Sequence, residues 1–383
     1  MKCSALLLVL LPWWAAAQQP FSFQRTQHSR EVSFIQLDSA KGVRSTVIEY
    51  PKFLIVIELP MIDAGASRAT NLAEDVPKAQ RYLQYLTREF QKPVKYVLST
   101  HWHLHSLSGI TPFFEHGAQL VVARSNWRYS LEQGLLPQAV AQQYRKQVIS
   151  VTRDTVLLAK STNPIEVWFL DEQYRFKPTK DYLFFYFPKS QALHASCMCA
   201  MNHVDFAQRP TFMYNDRVSD LDRAIRVRQV PVEQLIKLNA EYDATTNTYR
   251  EPVFSQAYFS EFKQRGTPLH VAVKAYTTMA LDRLNHDRDS LLNVLVQQKV
   301  SPALLNSVVY ECLREQAWPK AVAWAHILNL VEPGDTNYID TLGEAYYQSG
   351  NLSMAEYYSR VLQRLDAQNF PDALATWARN KAH

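Results

Sequence analysis

Three of the chain's eleven histidines, His101, His103 and His105, alternate along one short stretch, Thr100-His101-Trp102-His103-Leu104-His105-Ser106-Leu107-Ser108-Gly109. Neutral imidazole nitrogens bind transition metals, and two histidines on a tight loop can reach one ion together. Alternate histidines on a half-exposed strand could equally be polar surface. A second set of donors lies in Ala192-Leu193-His194-Ala195-Ser196-Cys197-Met198-Cys199, with His203 just beyond. A Cys197 thiolate together with imidazoles would suit zinc, and His194, Cys197, Cys199 and His203 are also spaced for chelation on their own. Asp181 and Asp205 read as turn residues rather than ligands.

The elements around the histidine stretch argue for a loop rather than a surface strand. Val94-Lys95-Tyr96-Val97-Leu98-Ser99 reads as a short strand running straight into it. A short helix is expected around Ile110 to Glu115, with Gly117 as its C-cap, and then the strand Ala118 to Ala123. Strand, loop, helix and strand in that order make a βαβ unit, with the histidines where the first strand ends. Upstream, Ser45 to Tyr50 and Phe53 to Glu58 read as strands of a meander. Val76, Ala79, Tyr82, Leu83 and Leu86 recur at helical spacing between Glu74 and Phe90.

A second strand-rich block runs from about Ile149 to Met198, including Ile165 to Leu170 and the aromatic run Tyr182 to Phe187, read as a packed strand. Cys197 and Cys199 are expected on one strand, too close to bridge each other. Beyond residue 220 the strand signals fade. Leu342, Gly343, Tyr346, Ala355 and Leu362 match Val308, Val309, Cys312, Ala321 and Leu328 one repeat earlier, the spacing of tetratricopeptide repeats. A helix from His270 to about Val296 is expected to cap them. Residues 221–300 are thus read as a helical extension and 301–383 as the repeats.

The first 17 residues, with Lys2, the apolar run Ala5 to Leu11 and Ala15-Ala16-Ala17, have the layout of a secretory signal peptide. Export is therefore expected, periplasmic or secreted, and no later stretch is long and apolar enough to suggest a transmembrane anchor. Cys3 would leave with that peptide, so Cys197, Cys199 and Cys312 cannot all pair within one chain. The formal charge is +5, with no run of Lys and Arg to concentrate it, so no nucleic-acid partner is implied.

The stretch Lys92 to His103 resembles the approach to the T-H-x-H-x-D-H-x-G-G signature of the metallo-β-lactamase superfamily, and Met61-Ile62-Asp63-Ala64-Gly65 resembles its earlier L-I-D-x-G turn. The resemblance covers roughly residues 30 to 205. It implies an α/β (α+β) fold, a metallo-β-lactamase-like αβ/βα sandwich over residues 18–220, followed by the all-α tetratricopeptide-like region. It also implies zinc and hydrolysis of an ester, lactone or amide. His101 and His103 match the first two ligands. His105 stands at the family's Asp and Ser106 at its next His, Ser108 replaces a Gly, and Cys197 falls at or beside the bridging Asp. No histidine occurs between His116 and His194 to serve as the downstream ligand.

Three expectations follow for the site. His101, His103, Cys197 and His105 could hold a single zinc; the fold could persist without metal; or the metal could belong to the segment from His194 to His203. The functional expectation is an exported zinc-dependent hydrolase with a degenerate site, acting on a small ester or amide. Its alternative is a non-catalytic pseudoenzyme that binds a protein or peptide partner through the helical repeats.

Overall fold

The computed structural model describes residues 22–37, 44–60, 72–101, 107, 109–132, 136–209, 211–239, 241–243, 248–297 and 300–381. The chain divides into two units: one comprises residues 1–204 and 217–261, the other 205–216 and 262–383. The expected signal peptide and the Met61 to Gly65 turn lie outside the described residues, as do His103 and His105.

In the first unit, a seven-stranded sheet takes its strands in chain order: β1 (Phe23–Gln27), β2 (Val32–Leu37), β3 (Arg44–Glu49), β4 (Leu54–Ile57), β5 (Val94–Leu98), β6 (Gln119–Ala123) and β7 (Val148–Val151). β1 to β4 pair antiparallel, as short connections allow, and β4 to β7 pair parallel. Parallel neighbours need crossovers. Those are supplied by α1 (Leu72–Phe90), α2 (Thr111–Glu115), and the pair α3 (Arg124–Glu132) and α4 (Gln138–Gln143). α2 ends at His116, and Gly117 turns the chain at φ 81°, a conformation costly to residues with a Cβ.

The strands of this sheet are apolar on both faces because both faces are covered. Ile35, Val47, Leu54, Val56 and Val97 pack with Ala79, Tyr82 and Leu86 of α1 and with Phe113 and Phe114 of α2. The alternate residues Ile48, Ile55, Ile57, Leu98 and Val121 pack on Ile165, Val167, Leu183, Phe185 and Phe187 of a second sheet. Full burial of side chains this size contributes about 1.5–3 kcal/mol each.

That second sheet contains β8 (Thr155–Leu157), β9 (Ile165–Leu170), β10 (Tyr182–Phe187) and β11 (Ala192–His194). It then departs from expectation. The strands do not stop at residue 220: residue 220 lies inside α5 (Arg217–Arg228), and two strands of the segment expected to be helical complete the sheet. With β12 (Phe212–Tyr214) taken in chain order, these are β13 (Gln234–Ile236), parallel to β11, and, past the small hairpin β14 (Tyr242–Asp243) and β15 (Thr248–Tyr249), β16 (Val253–Ser255). α5 covers the outer face: Arg228 lies over the Trp168 ring at 4.9 Å, and its Nη2 donates to the Asp154 carboxylate. Helix, sheet, sheet and helix are thus stacked, an αβ/βα sandwich.

The second unit pairs β12 with β17 (Gly266–Pro268), which follows α6 (Gln256–Arg265). The single helix expected from His270 to Val296 is instead three, α7 (Leu269–Thr277), α8 (Leu281–His286) and α9 (Arg288–Gln297). Two helical hairpins follow: α10 (Pro302–Arg314) with α11 (Trp318–Val331), then α12 (Thr336–Gln348) with α13 (Leu352–Asp366). Tyr310 and Glu344, equivalent positions of the two, are hydrogen-bonded across an offset of 34 residues. Of the matched residues, Val308, Val309, Cys312, Ala321, Leu328, Leu342, Gly343, Ala355 and Leu362 are buried and Tyr346 is half-buried. Trp377 of α14 (Ala373–Lys381) packs with Ala355 and Leu362. Among the described residues no helix is long and apolar enough to cross a membrane.

Candidate functional site

His101 sits three residues past β5 and is 0% exposed. Its ring stacks on Tyr182, the first residue of β10, with centroids 4.9 Å apart. The segment between is stitched to both sheets. Ser99 N donates to Val121 O at 2.9 Å and Leu183 N donates to Thr100 O at 2.9 Å. The Ser99 hydroxyl donates to the His101 carbonyl at 2.8 Å. β5 therefore delivers His101 to the place where the two sheets meet, and Trp102 and His103 follow it in sequence.

Beneath His101 lies a residue the sequence did not single out. Glu58, immediately after β4, is fully buried and has φ 58°. Left-handed backbone costs a residue with a Cβ about 1–2 kcal/mol. That conformation is held by a hydrogen bond from Glu58 N to Leu98 O and by the carboxylate itself. Glu58 Oε1 accepts from Thr100 N at 2.9 Å and from the Thr100 hydroxyl. Thr100 Oγ1 in turn lies 2.6 Å from His101 Nδ1, which is 3.8 Å from Glu58 Oε1. Carboxylate, hydroxyl and imidazole thus form one buried chain. No sequence signal marks Glu58, because its partner lies 42 residues away.

Cys197 lies in a short 3-10 turn, Ser196–Met198, directly after β11, rather than on the strand expected for it. Burial pushes its thiol up to about 12, and the Glu58 charge adds to that, while Arg217 opposes it. Burial raises the Tyr182 hydroxyl well above its usual range, and Cys197 and Glu58 add to that, so these groups share one neighbourhood. Ser196 has φ 48°, a second left-handed residue beside the cluster. His194, opposite Phe185 in the β10–β11 ladder, is fully buried, and neither ring nitrogen has a hydrogen-bond partner among the described residues. Burial lowers its pKa to about 4, so it is neutral.

The expected chelate of His194, Cys197, Cys199 and His203 is not formed. His203 Nδ1 is 3.2 Å from Glu241 Oε2, its backbone N–H donates to the same carboxylate, and its ring lies against Phe254. Cys199 is wholly buried, which pushes its thiol up to about 12. Spacing in the chain favoured chelation, but no three of these donors converge, and His203 is taken by Glu241. The expected spare carboxylate Asp205 is a turn residue, its Oδ1 accepting from Ala207 N at 2.9 Å. Cys197, Cys199 and Cys312 are all free thiols.

Among the described residues no group of three or more His, Cys, Asp or Glu side chains could hold a metal ion. What does fit zinc is His101, a buried imidazole held at one nitrogen by an oxygen next to a carboxylate, as metal-bound histidines usually are. A full shell needs further donors, and those the sequence offers next to it, His103 and His105, lie outside the described residues. A cavity of about 220 Å³, lined by Val32, Ile48, Phe187, Ala192 and Ile236 with Lys189 at its edge, lies at the Phe187 end of β10, whereas His101 stacks at the Tyr182 end.

No family model matches the sequence, and neither does any curated protein. Several solved structures are similar to the chain. A metallo-β-lactamase from Pontibacter korlensis is 15% identical, with 63% of this chain and 98% of that one covered, at a TM-score of 0.42. The FIM-1 metallo-β-lactamase of Pseudomonas aeruginosa in its mono-zinc form is 14% identical, with 63% and 93% covered and a TM-score of 0.41. A metallo-β-lactamase from Hirschia baltica is 10% identical, with 62% and 95% covered and a TM-score of 0.40.

Proposed function

We propose that this protein is an exported, zinc-dependent hydrolase of esters, lactones or amides, built on a metallo-β-lactamase-like scaffold with a reduced metal site. One zinc ion would be held by His101 and His103, with His105 or Cys197 completing the shell. The observation that carries this reading is the placement of His101: fully buried at the end of β5, stacked on Tyr182 and held at Nδ1 by Thr100. A surface histidine of a half-exposed strand would have none of these restraints. When bound, zinc supplies Lewis acidity toward a carbonyl. The chain's own contribution is to fix the imidazole and to exclude water from its Nδ1 side.

A second reading rests on the helical hairpins. Their 34-residue offset and buried matched positions suit a tetratricopeptide-like array that docks a protein or peptide partner. On that reading the sandwich is a pseudoenzyme and the repeats carry the function.

Metal analysis of the purified full-length protein separates the two. The hydrolase reading expects one zinc per chain, hydrolysis of a panel of simple esters, and loss of both in His101→Ala with His103→Ala. Absence of zinc, with no property altered by that double substitution, would sink it and leave the binding reading standing.

A further inference from the structure

At the other end of β10 from His101, about 17 Å along the strand, the two sheets part around a half-open cavity of about 220 Å³. Its floor is apolar: Val32, Ile48, Phe187, Ala192 and Ile236, the last four at most 4% exposed. Val32 packs both on the inter-sheet cluster and on the smaller one of Phe34, Ala192 and Ile236. A dry apolar cavity of about 150 Å³ takes a benzene-sized ring, so this one has room for a ring or branched chain and a few atoms more.

The rim is polar and carries both signs of charge. Lys189 Nζ donates to Glu31 Oε1 at 2.8 Å, and Asn163 Nδ2 lies 3.5 Å from Glu31 Oε2. Two rim groups are left over. Arg30 has no ion-pair or hydrogen-bond partner among the described residues, although the turn bearing it is fixed by Ser29 Oγ, which accepts from Glu31 N and Val32 N. Asn163 Oδ1 is buried without a hydrogen-bond partner. Turning that amide over would set its oxygen against the Glu31 carboxylate, so the orientation holds.

This pair defines a ligand: an anionic group for Arg30, a donor for Asn163 Oδ1 and an apolar body for the floor. Glu31, next to that oxygen, favours a cationic donor over a neutral one. The same charge reaches the Tyr50 hydroxyl, which donates to Asn163 O at 2.7 Å and whose pKa is raised by burial and by Glu31. We propose that the cavity binds a free apolar α-amino acid of leucine or phenylalanine size, its carboxylate on Arg30, its ammonium on Asn163 Oδ1 and Glu31, and its side chain on the floor. None of the residues proposed to hold zinc lines this cavity, so the inference stands or falls apart from the hydrolase reading.

The test is isothermal titration calorimetry of the full-length protein with leucine and phenylalanine near neutral pH. Phenylpropionate, which lacks the ammonium, and phenethylamine, which lacks the carboxylate, are titrated beside them. The better amino acid should bind with a dissociation constant on the order of 0.1–1 mM, and both analogues about 10-fold more weakly. Arg30→Gln alters an exposed side chain and should weaken the amino acid about 10-fold while leaving phenethylamine unchanged. Ala192→Val narrows the floor and should weaken every ligand, its thermal midpoint showing that it is folded; Arg30→Gln decides the matter if it is not.

Absence of saturable binding by either amino acid overturns the proposal. So does binding that Arg30→Gln leaves unchanged, because the ligand would then sit elsewhere. Phenylpropionate binding as tightly as the amino acid would make this a pocket for simple anions and overturn the zwitterion.

Discussion

Gly343 of α12 lies directly under the indole of Trp377, so closely that a Cβ on residue 343 would overlap the Cζ2 and Cη2 atoms of the ring. The same ring donates its Nε1–H to Asp340 Oδ1 at 2.9 Å. Trp377 thus fastens the last described helix to α12, needing a glycine on one side and a carboxylate on the other, and beside it Asn380 Nδ2 donates to Glu344 Oε1 at 2.8 Å.

Gly343→Ala sets two effects against each other. Alanine gains about 1 kcal/mol of helix propensity over glycine. Overpacking a buried ring typically costs about 1–3 kcal/mol, and Trp377, wholly buried, has little room to move. The clash should win, and the helical transition in thermal unfolding followed by circular dichroism should fall by several degrees. A rise in its midpoint would show that α14 yields more readily than this packing implies.

His194 makes the sandwich acid-sensitive. Its pKa falls from 6.5 to about 4 on folding, through burial. Between those values the unfolded chain takes up a proton that the native one refuses, so stability drops as pH falls from 6.5 toward 4 and is unaffected by this group above 6.5. The full difference is on the order of 3 kcal/mol. Denaturant unfolding at pH 7.5, 5.5 and 4.5 should show that slope in wild type and a shallower one in His194→Leu. Equal slopes would mean that folding leaves the pKa of His194 unchanged.

Asp340 works in the opposite sense within the helical unit. Burial raises its carboxyl from 3.8 to about 6, against the stabilising bond from Trp377. The native state therefore holds a proton that the unfolded chain loses, and stability declines as pH rises from about 3.8 through 6. Asp340→Asn retains an oxygen for the indole N–H and should raise the helical transition at pH 7.5 but not at pH 4. A variant less stable than wild type at pH 7.5 would show that the charge is needed there.

Burial raises the thiols of Cys199 and Cys312 to about 12 and about 11. Only a thiolate reacts quickly with alkylating reagents. In the native protein at pH 8 neither should be modified by iodoacetamide over a time in which denatured protein is fully labelled, as read by peptide mass spectrometry. Rapid native labelling of Cys312 would indicate that the α10 and α11 pair opens often.

Strands with sustained apolar or β-branched runs, such as β9 and β10, were legible because a run of five or six such residues has few other uses. The helix pairs were legible because a repeated pattern confirms itself. β13 and β16 were not: each has three residues, and β13 enters the sheet by parallel pairing with β11, two strands earlier, which leaves no local trace. Likewise His101 announced itself through its neighbours, whereas Glu58 reads as an ordinary strand ending and acquires its role only when β4 and β5 are laid side by side. The chelate expected of His194 to His203 failed for the converse reason, since closeness in sequence says nothing about where a turn aims its side chains.

β12 pairs with β17, Phe212 opposite Gly266, while the residues between them return to finish the other sheet. Because the chain leaves one unit, visits the second and comes back, the order of synthesis matters. A growing polypeptide ending between Ile236 and Val253 leaves β13 as an open edge and β12 without its mate. Both gaps close only within the stretch from Val253 to Pro268. Any programme of dissection by proteolysis or truncation meets the same knot of dependence: a single cut cannot release either half with all its strands.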